Sequence, residues 1–315
     1  MHIFADSNHL GFGFNNEKNS VSIPFTSYNN LIIVKAEIDG QNKLNLILDT
    51  GIRSLVVFDK SYIPKVSDHT FEIKFTGAGS ESPIDALVSI NHNLRLCDDV
   101  VANQINTVIL KRSNKQLHNL KGLKIHGAFG YQLFSRFQVK INYKQHLLTL
   151  SEPDKKNKMD GFEAIPIKIH DTKPFIETSF LTKKNERKQL NLMLDLGANH
   201  KILFYENPYI SDLILHENDD GRIAEGLSNT IYGIKATTNS IQLGTLIFTK
   251  IEILIPTGNS YQHESLNIEK HGALGGAFFN KSTIVLDYIN GFLFVESKQN
   301  KPRSSETSPI TLREL

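Results

Sequence analysis

A single cysteine, Cys97, stands in a chain of 315 residues. No disulfide can close within the chain, and no cysteine spacing marks a metal site. One thiol fits a reducing cytosol and equally an exported protein that uses no disulfides. The chain has no run of 18 or more apolar residues, so the sequence offers no integral membrane segment. Its opening, Met1-His2-Ile3-Phe4-Ala5-Asp6, lacks the basic start and apolar stretch of a secretory leader. The compartment stays open: periplasmic or secreted if a leader is missing from this sequence, otherwise cytoplasmic. Net charge is only +2, with both signs mixed along the chain. Without a basic stripe interleaved with aromatics, a nucleic-acid partner is excluded. The short basic run Lys183-Lys184-Asn185-Glu186-Arg187-Lys188 reads as a solvated hairpin turn. Nothing resembles His-Glu-x-x-His, a serine nucleophile elbow or a Cys-His pair.

What the chain does have is a repeat. Leu44-Asn45-Leu46-Ile47-Leu48-Asp49-Thr50-Gly51 returns as Leu190-Asn191-Leu192-Met193-Leu194-Asp195-Leu196-Gly197. His126-Gly127-Ala128-Phe129-Gly130 returns as His271-Gly272-Ala273-Leu274-Gly275. Asp195 follows Asp49 by 146 positions and His271 follows His126 by 145, so both blocks share one register. The chain reads as a tandem duplication that brings one carboxylate per copy to the same structural place. A lone Asp-x-Gly triplet is usually a turn or cap; duplication in matched context argues for more.

Short apolar runs alternate with turn residues from Val21 onward, among them Leu31-Ile32-Ile33-Val34, Leu55-Val56-Val57-Phe58 and Phe71 to Phe75. Asp39-Gly40 and Asn290-Gly291 are strong hairpin signals. Strands this short and frequent predict a mainly β fold, barrel or sandwich, in two lobes of usual domain size. One short helix per half is expected, over 132–137 and 277–282. The predicted organisation is a loose arm at 1–20, a first lobe at 21–150, a polar linker at 151–163, a second lobe at 164–296 and a disordered tail at 297–315.

A carboxylate directly after a buried strand is costly to bury alone. Two of them facing each other can share one proton, since like charges in contact cannot both ionise. The resulting acid and base flank one water, the equipment of general acid–base hydrolysis. On these residues the chain resembles the retropepsin-like (pepsin-type) aspartic peptidases, in the single-chain bacterial form with two fused halves. The resemblance covers roughly residues 22–296. It implies two pseudo-symmetric acid-protease-type β-barrel lobes with short helices, and an endopeptidase that activates water between Asp49 and Asp195. It implies that Thr50 anchors the first loop across the lobes, that Gly51 and Gly197 allow the loop geometry, and that Gly130 and Gly275 belong to elements packed behind the loops. No cofactor or metal is needed. The partner is a peptide or protein substrate, and a monomer suffices because both carboxylates come from one chain.

The second half departs from that pattern: Leu196 stands where the family has Thr or Ser, so the cross-lobe clamp can form from one side only. The alternative is therefore a protease-fold peptide-binding protein with weakened or lost catalysis. A third reading is an unrelated duplicated β-barrel that binds small ligands. Flap tips are expected at Gly77 and Gly79 in the first half and at Gly226 in the second. His126 and His271 are taken as structural, and His200 as a rim residue. The clusters Gly127/Gly130 and Gly272/Gly275/Gly276 lack the lysine and long helix of a phosphate loop.

Overall fold

The computed structural model describes residues 9–75, 83–112, 119–120, 122–154, 158–205, 209–225, 230–257 and 269–297. Its fold is mainly β, with one closed barrel sheet and a second, larger sheet. Among the described residues, no helix is long and apolar enough to cross a membrane.

The barrel forms because its strands carry apolar side chains on both faces. Leu31–Ile38 is buried at all but two positions. It turns through Asp39 (φ 51°) and Gly40 (φ 68°) into Asn42–Leu48. Both turn residues take the left-handed backbone of a tight hairpin, as the Asp-Gly pair predicts. Asn42–Leu48 then pairs in parallel with Gly127–Phe129, which pairs with Leu55–Val57, and that with Val100–Leu110. Val100–Leu110 pairs with Ile84–Cys97, which returns to Leu31–Ile38 and closes the ring.

The larger sheet repeats this order of pairing at one end. Lys173–Leu181 pairs with Arg187–Asp195, which runs parallel to Gly272–Gly275; that strand pairs with Ile202–Phe204, and Ile202–Phe204 with Leu246–Pro256. Thr230–Leu243 joins Leu246–Pro256 to Lys173–Leu181. At the other end, Ser20–Pro24, Leu147–Ser151, Gln138–Asn142, Thr283–Asp287, Phe292–Glu296 and Phe162–His170 lie side by side, all antiparallel. Residues from both copies of the repeat thus share one sheet, joined where Val139 faces Leu286 and Ile141 faces Ile284. The main apolar core is continuous through this junction, from Phe12 to Val295.

Several boundaries differ from the sequence reading. The expected arm at 1–20 contains a strand, Gly11–Phe14, which pairs with Val100–Leu110 and buries Phe12. The apolar side chain Phe12, hidden among Asn and Gly in the sequence, fills the barrel end and fixes the segment. The expected linker overlaps strands at both ends, Ser151 at one and Phe162 at the other. The two helices are shorter than expected, a single turn at Tyr131–Phe134 and a 3-10 turn at Gly276–Phe278. Each only redirects the chain into the following strand, and the first buries Leu133 and Phe134 as it does so. The expected tail lies outside the described residues from position 298 onward.

Candidate active site

Asp49 directly follows the strand Asn42–Leu48, and Asp195 is the last residue of Arg187–Asp195. Their carboxyl groups come together, close enough that each shifts the other. Each is also held by its own loop: the Gly51 N–H donates to Asp49 Oδ1 at 2.7 Å, and the Gly197 N–H to Asp195 Oδ1 at 3.0 Å. These bonds fix both side chains before any ligand arrives.

The loops approach so closely that they require glycine. A Cβ on Gly197 would stand 2.2 Å from Asp49 Cγ, so the Asp49 carboxyl occupies the space a side chain would need. Behind the first loop, a Cβ on Gly130 would lie 1.7 Å from the Asp49 carbonyl oxygen. Gly275 backs the second loop in the same way, 2.2 Å in that sense from the His200 carbonyl oxygen. The Gly51 Cβ position is the least crowded, 3.1 Å from Asp49 Oδ1.

Thr50 clamps the two loops together. Its hydroxyl donates to the Leu194 carbonyl at 2.7 Å and accepts from the Leu196 N–H at 2.9 Å, and the side chain is fully buried. Leu196 is equally buried but has no polar atom to return the contact. The clamp is one-sided. Outside it, further contacts cross between the copies: Arg53 pairs with Asp171, and Asn280 Nδ2 donates to Asn30 Oδ1 at 2.8 Å.

Electrostatics follow from this crowding. Burial first, and then the charge of Asp195, raise the Asp49 carboxyl to about 8. Asp195 is raised as well, chiefly by burial, against the opposing pull of Lys270, the Gly197 N–H, Asp49 and Lys173. Like charges this close resist ionising together, so the two carboxyls titrate as one coupled pair that shares a proton.

The histidines divide by role. His126 Nδ1 accepts from the Asn45 N–H at 2.8 Å, and His271 Nδ1 accepts from the Asn191 N–H at 3.1 Å. Each asparagine also bonds the backbone just before its histidine, at Lys124 and Glu269. These residues pin the Asp-bearing strands from below. His200 is not on a rim: its Nε2 is buried without a hydrogen-bond partner among the described residues, and burial lowers the ring to about 4. The expected flap positions Gly77, Gly79 and Gly226 lie outside the described residues. The hairpins leading to them, Thr70–Phe75 with Ile84–Cys97 and Ile214–Glu225 with Thr230–Leu243, are present.

Sequence reasoning missed Lys173, Lys270 and Tyr288, whose electrostatic reach to the carboxyl pair depends on tertiary packing. It also missed a chain of three residues elsewhere: Ser89 Oγ lies 2.7 Å from His92 Nε2, and His92 Nδ1 lies 2.8 Å from Asp39 Oδ2. The types and order match a hydrolytic triad. Ser89 is fully buried, however, and its oxygen already accepts from the Ser67 N–H at 2.9 Å, so this chain ties a strand bulge to a turn. No model of a known protein family matches the sequence, and no curated protein matches it.

Proposed function

We propose that this chain is an aspartic endopeptidase of the retropepsin-like type, built from two pseudo-symmetric lobes that each contribute one Asp loop. The observation that carries the reading is the apposition of Asp49 and Asp195, two buried carboxyls delivered by repeated sequence to one point. The matched ring pairings on either side support it. So does Thr50, which ties one Asp loop to the backbone of the other.

The chemistry follows from the single shared proton. Asp195, as carboxylate, takes a proton from a water placed between the carboxyls, while Asp49 donates its proton to the carbonyl oxygen of the scissile amide. The hydroxide oxygen bonds to the carbonyl carbon, giving a neutral tetrahedral intermediate with Asp195 protonated and Asp49 ionised. Asp195 then gives its proton to the amide nitrogen, the C–N bond breaks, and a hydroxyl proton of the diol passes to Asp49, which releases the two products and restores the starting pair. An extended peptide would lie across the pair, beneath the hairpins that lead toward positions 76–82 and 226–229. Both carboxyls belong to one chain, so the monomer is the active unit.

Incubating the protein with a peptide library between pH 4 and 8, with Asp49→Asn alongside, tests the proposal. Cleavage by the native chain that Asp49→Asn abolishes is the expected result. Leu196 favours a second reading, a peptide-binding protein that kept the cleft and lost its chemistry. Peptides that bind the native chain and stay intact would select it.

A further inference from the structure

Two tight turns, one in each copy, reach the segment behind the other copy's Asp loop. Tyr28 pairs with Leu31 around Asn29 (φ 47°) and Asn30 (φ 65°), and His170 pairs with Lys173 around Asp171 (φ 45°) and Thr172 (φ 69°). The left-handed backbone at both central residues makes these the same hairpin turn twice. From the first turn, Asn30 Nδ2 donates to the Asn199 carbonyl at 3.5 Å, and Asn199 stands four residues after Asp195. From the second, Asp171 pairs with Arg53, which stands four residues after Asp49. Backbone and contact are matched, but charge is not. Tyr28-Asn29-Asn30-Leu31 carries none, and its contact is made by amides. His170-Asp171-Thr172-Lys173 makes an ionic contact and holds a lysine besides.

Strand register brings that lysine to the carboxyl pair. Ile33 faces Ile47 in the first copy, and Phe175 faces Met193 in the second. Carried two residues further, to the first residue of Leu31–Ile38 and of Lys173–Leu181, the same register sets Leu31 across from Asp49 and Lys173 across from Asp195. Leu31 is buried among Ile33, Ile47 and their neighbours, whereas Lys173 is partly exposed. In keeping with that place, the charge of Lys173 favours ionisation of both Asp49 and Asp195. Leucine in the matched position can exert no such pull. A ligand laid over the pair therefore meets a cation on one side and an apolar side chain on the other.

We infer that Lys173 determines specificity: an extended peptide across the Asp49–Asp195 pair is favoured when it carries Asp or Glu on the Lys173 side of the scissile bond, and not when the acid lies on the Leu31 side. The inference rests on the peptidase reading of that pair. Arg53 belongs to the same edge, but its guanidinium is held by Asp171, so Lys173 is the group that distinguishes the two sides.

The test uses octapeptide libraries, random except at one position that is fixed as Glu or as Gln and walked along the peptide. Mass spectrometry assigns each cut, and the Glu/Gln ratio of kcat/KM is taken at every position. Both peptides of a pair meet the same carboxyls, so any effect of Lys173 on the pair itself cancels in the ratio. In the native chain the ratio should reach about three to five on one side of the bond, as a part-exposed ion pair supplies, and stay near one on the other. Lys173→Leu installs the side chain that the first copy already carries here, and should bring the ratio to about one; Lys173→Arg should keep it. Equal ratios on both sides of the bond in the native chain, or an unchanged ratio in Lys173→Leu, would overturn the inference. If the native chain cleaves nothing, the peptidase reading fails, and the Glu/Gln enrichment among peptides retained by the immobilised protein, with and without Lys173, still decides what the lysine does. Peptides neither cleaved nor retained would sink both.

Discussion

The shared proton makes stability depend on pH in a direction opposite to that of a carboxylate held in a salt bridge. An unfolded aspartic acid titrates near 3.9. In the folded chain Asp49 holds its proton up to about 8. Between those values the native state binds a proton that the unfolded state has lost, so unfolding free energy falls as pH rises. The slope is about 1.4 kcal/mol per pH unit for one fully retained proton. His200 opposes it over part of the range. Its ring is neutral down to about 4 when folded but charges near 6.5 when unfolded, so it makes stability rise with pH between those values. From pH 4 to 6.5 the histidine offsets one such slope while the raised Asp195 adds its own, and from 6.5 to 8 the histidine no longer opposes the carboxyl proton. Urea unfolding at half-unit steps should show a decline of about 1.4 kcal/mol per unit above pH 6.5. Asp49→Asn, which cannot share the proton, should remove the decline, and His200→Gln should extend it down toward pH 4.5. The same decline in Asp49→Asn, or stability rising above pH 6.5, would refute a proton shared at this site.

Three further outcomes follow from the loop geometry. Thr50→Val deprives the Leu194 carbonyl and the Leu196 N–H of their partner, and two buried bonds at about 1–2 kcal/mol each predict a loss of about 2–4 kcal/mol in urea unfolding, with Thr50→Ser recovering most of it. Gly130→Ala sets a methyl group 1.7 Å from the Asp49 carbonyl oxygen, backbone that cannot step aside; a loss of about 3 kcal/mol or more is expected, and a melting curve like the native one would contradict the packing. Leu196→Thr exchanges about 2 kcal/mol of apolar burial for hydrogen bonds worth about 1 kcal/mol each, so stability should stay within about 1 kcal/mol while peptide turnover rises. Unchanged turnover in that variant would show that the one-sided clamp does not limit the reaction.

Features written in local sequence were legible before any coordinates. The strand leading into each Asp loop, the Asp39-Gly40 turn and the mainly β class all follow from alternation and turn chemistry within a few residues. Features made by register across the fold were not. The strand Gly11–Phe14 depends on a partner at Val100–Leu110, about ninety positions away, and its own composition looks like a coil. Ile84–Cys97 reads as a shorter strand because Asn91 (φ 62°), His92 and Asn93 interrupt the apolar pattern. In the fold they form a bulge that Asp39 and Ser89 hold through His92. The pair Arg53 and Asp171 is equally invisible in sequence, since a loop of one copy meets a turn of the other.

Duplication explains both why Asp49 and Asp195 meet and why their surroundings differ. Each copy brings the same backbone: a strand, an Asp-x-Gly loop, and a parallel Gly-Ala strand behind it. Backbone hydrogen bonds depend little on side-chain identity, so the scaffold tolerates divergence between copies. The side chains packed around it have diverged. Thr50 faces Leu196, and Ser54 occupies the place of His200. Such asymmetry gives the two carboxyls unequal surroundings. A symmetric pair would have to break that degeneracy on each encounter with a peptide. Under the proposed peptidase reading, surroundings fixed in advance supply the preorganisation that general acid–base catalysis rewards.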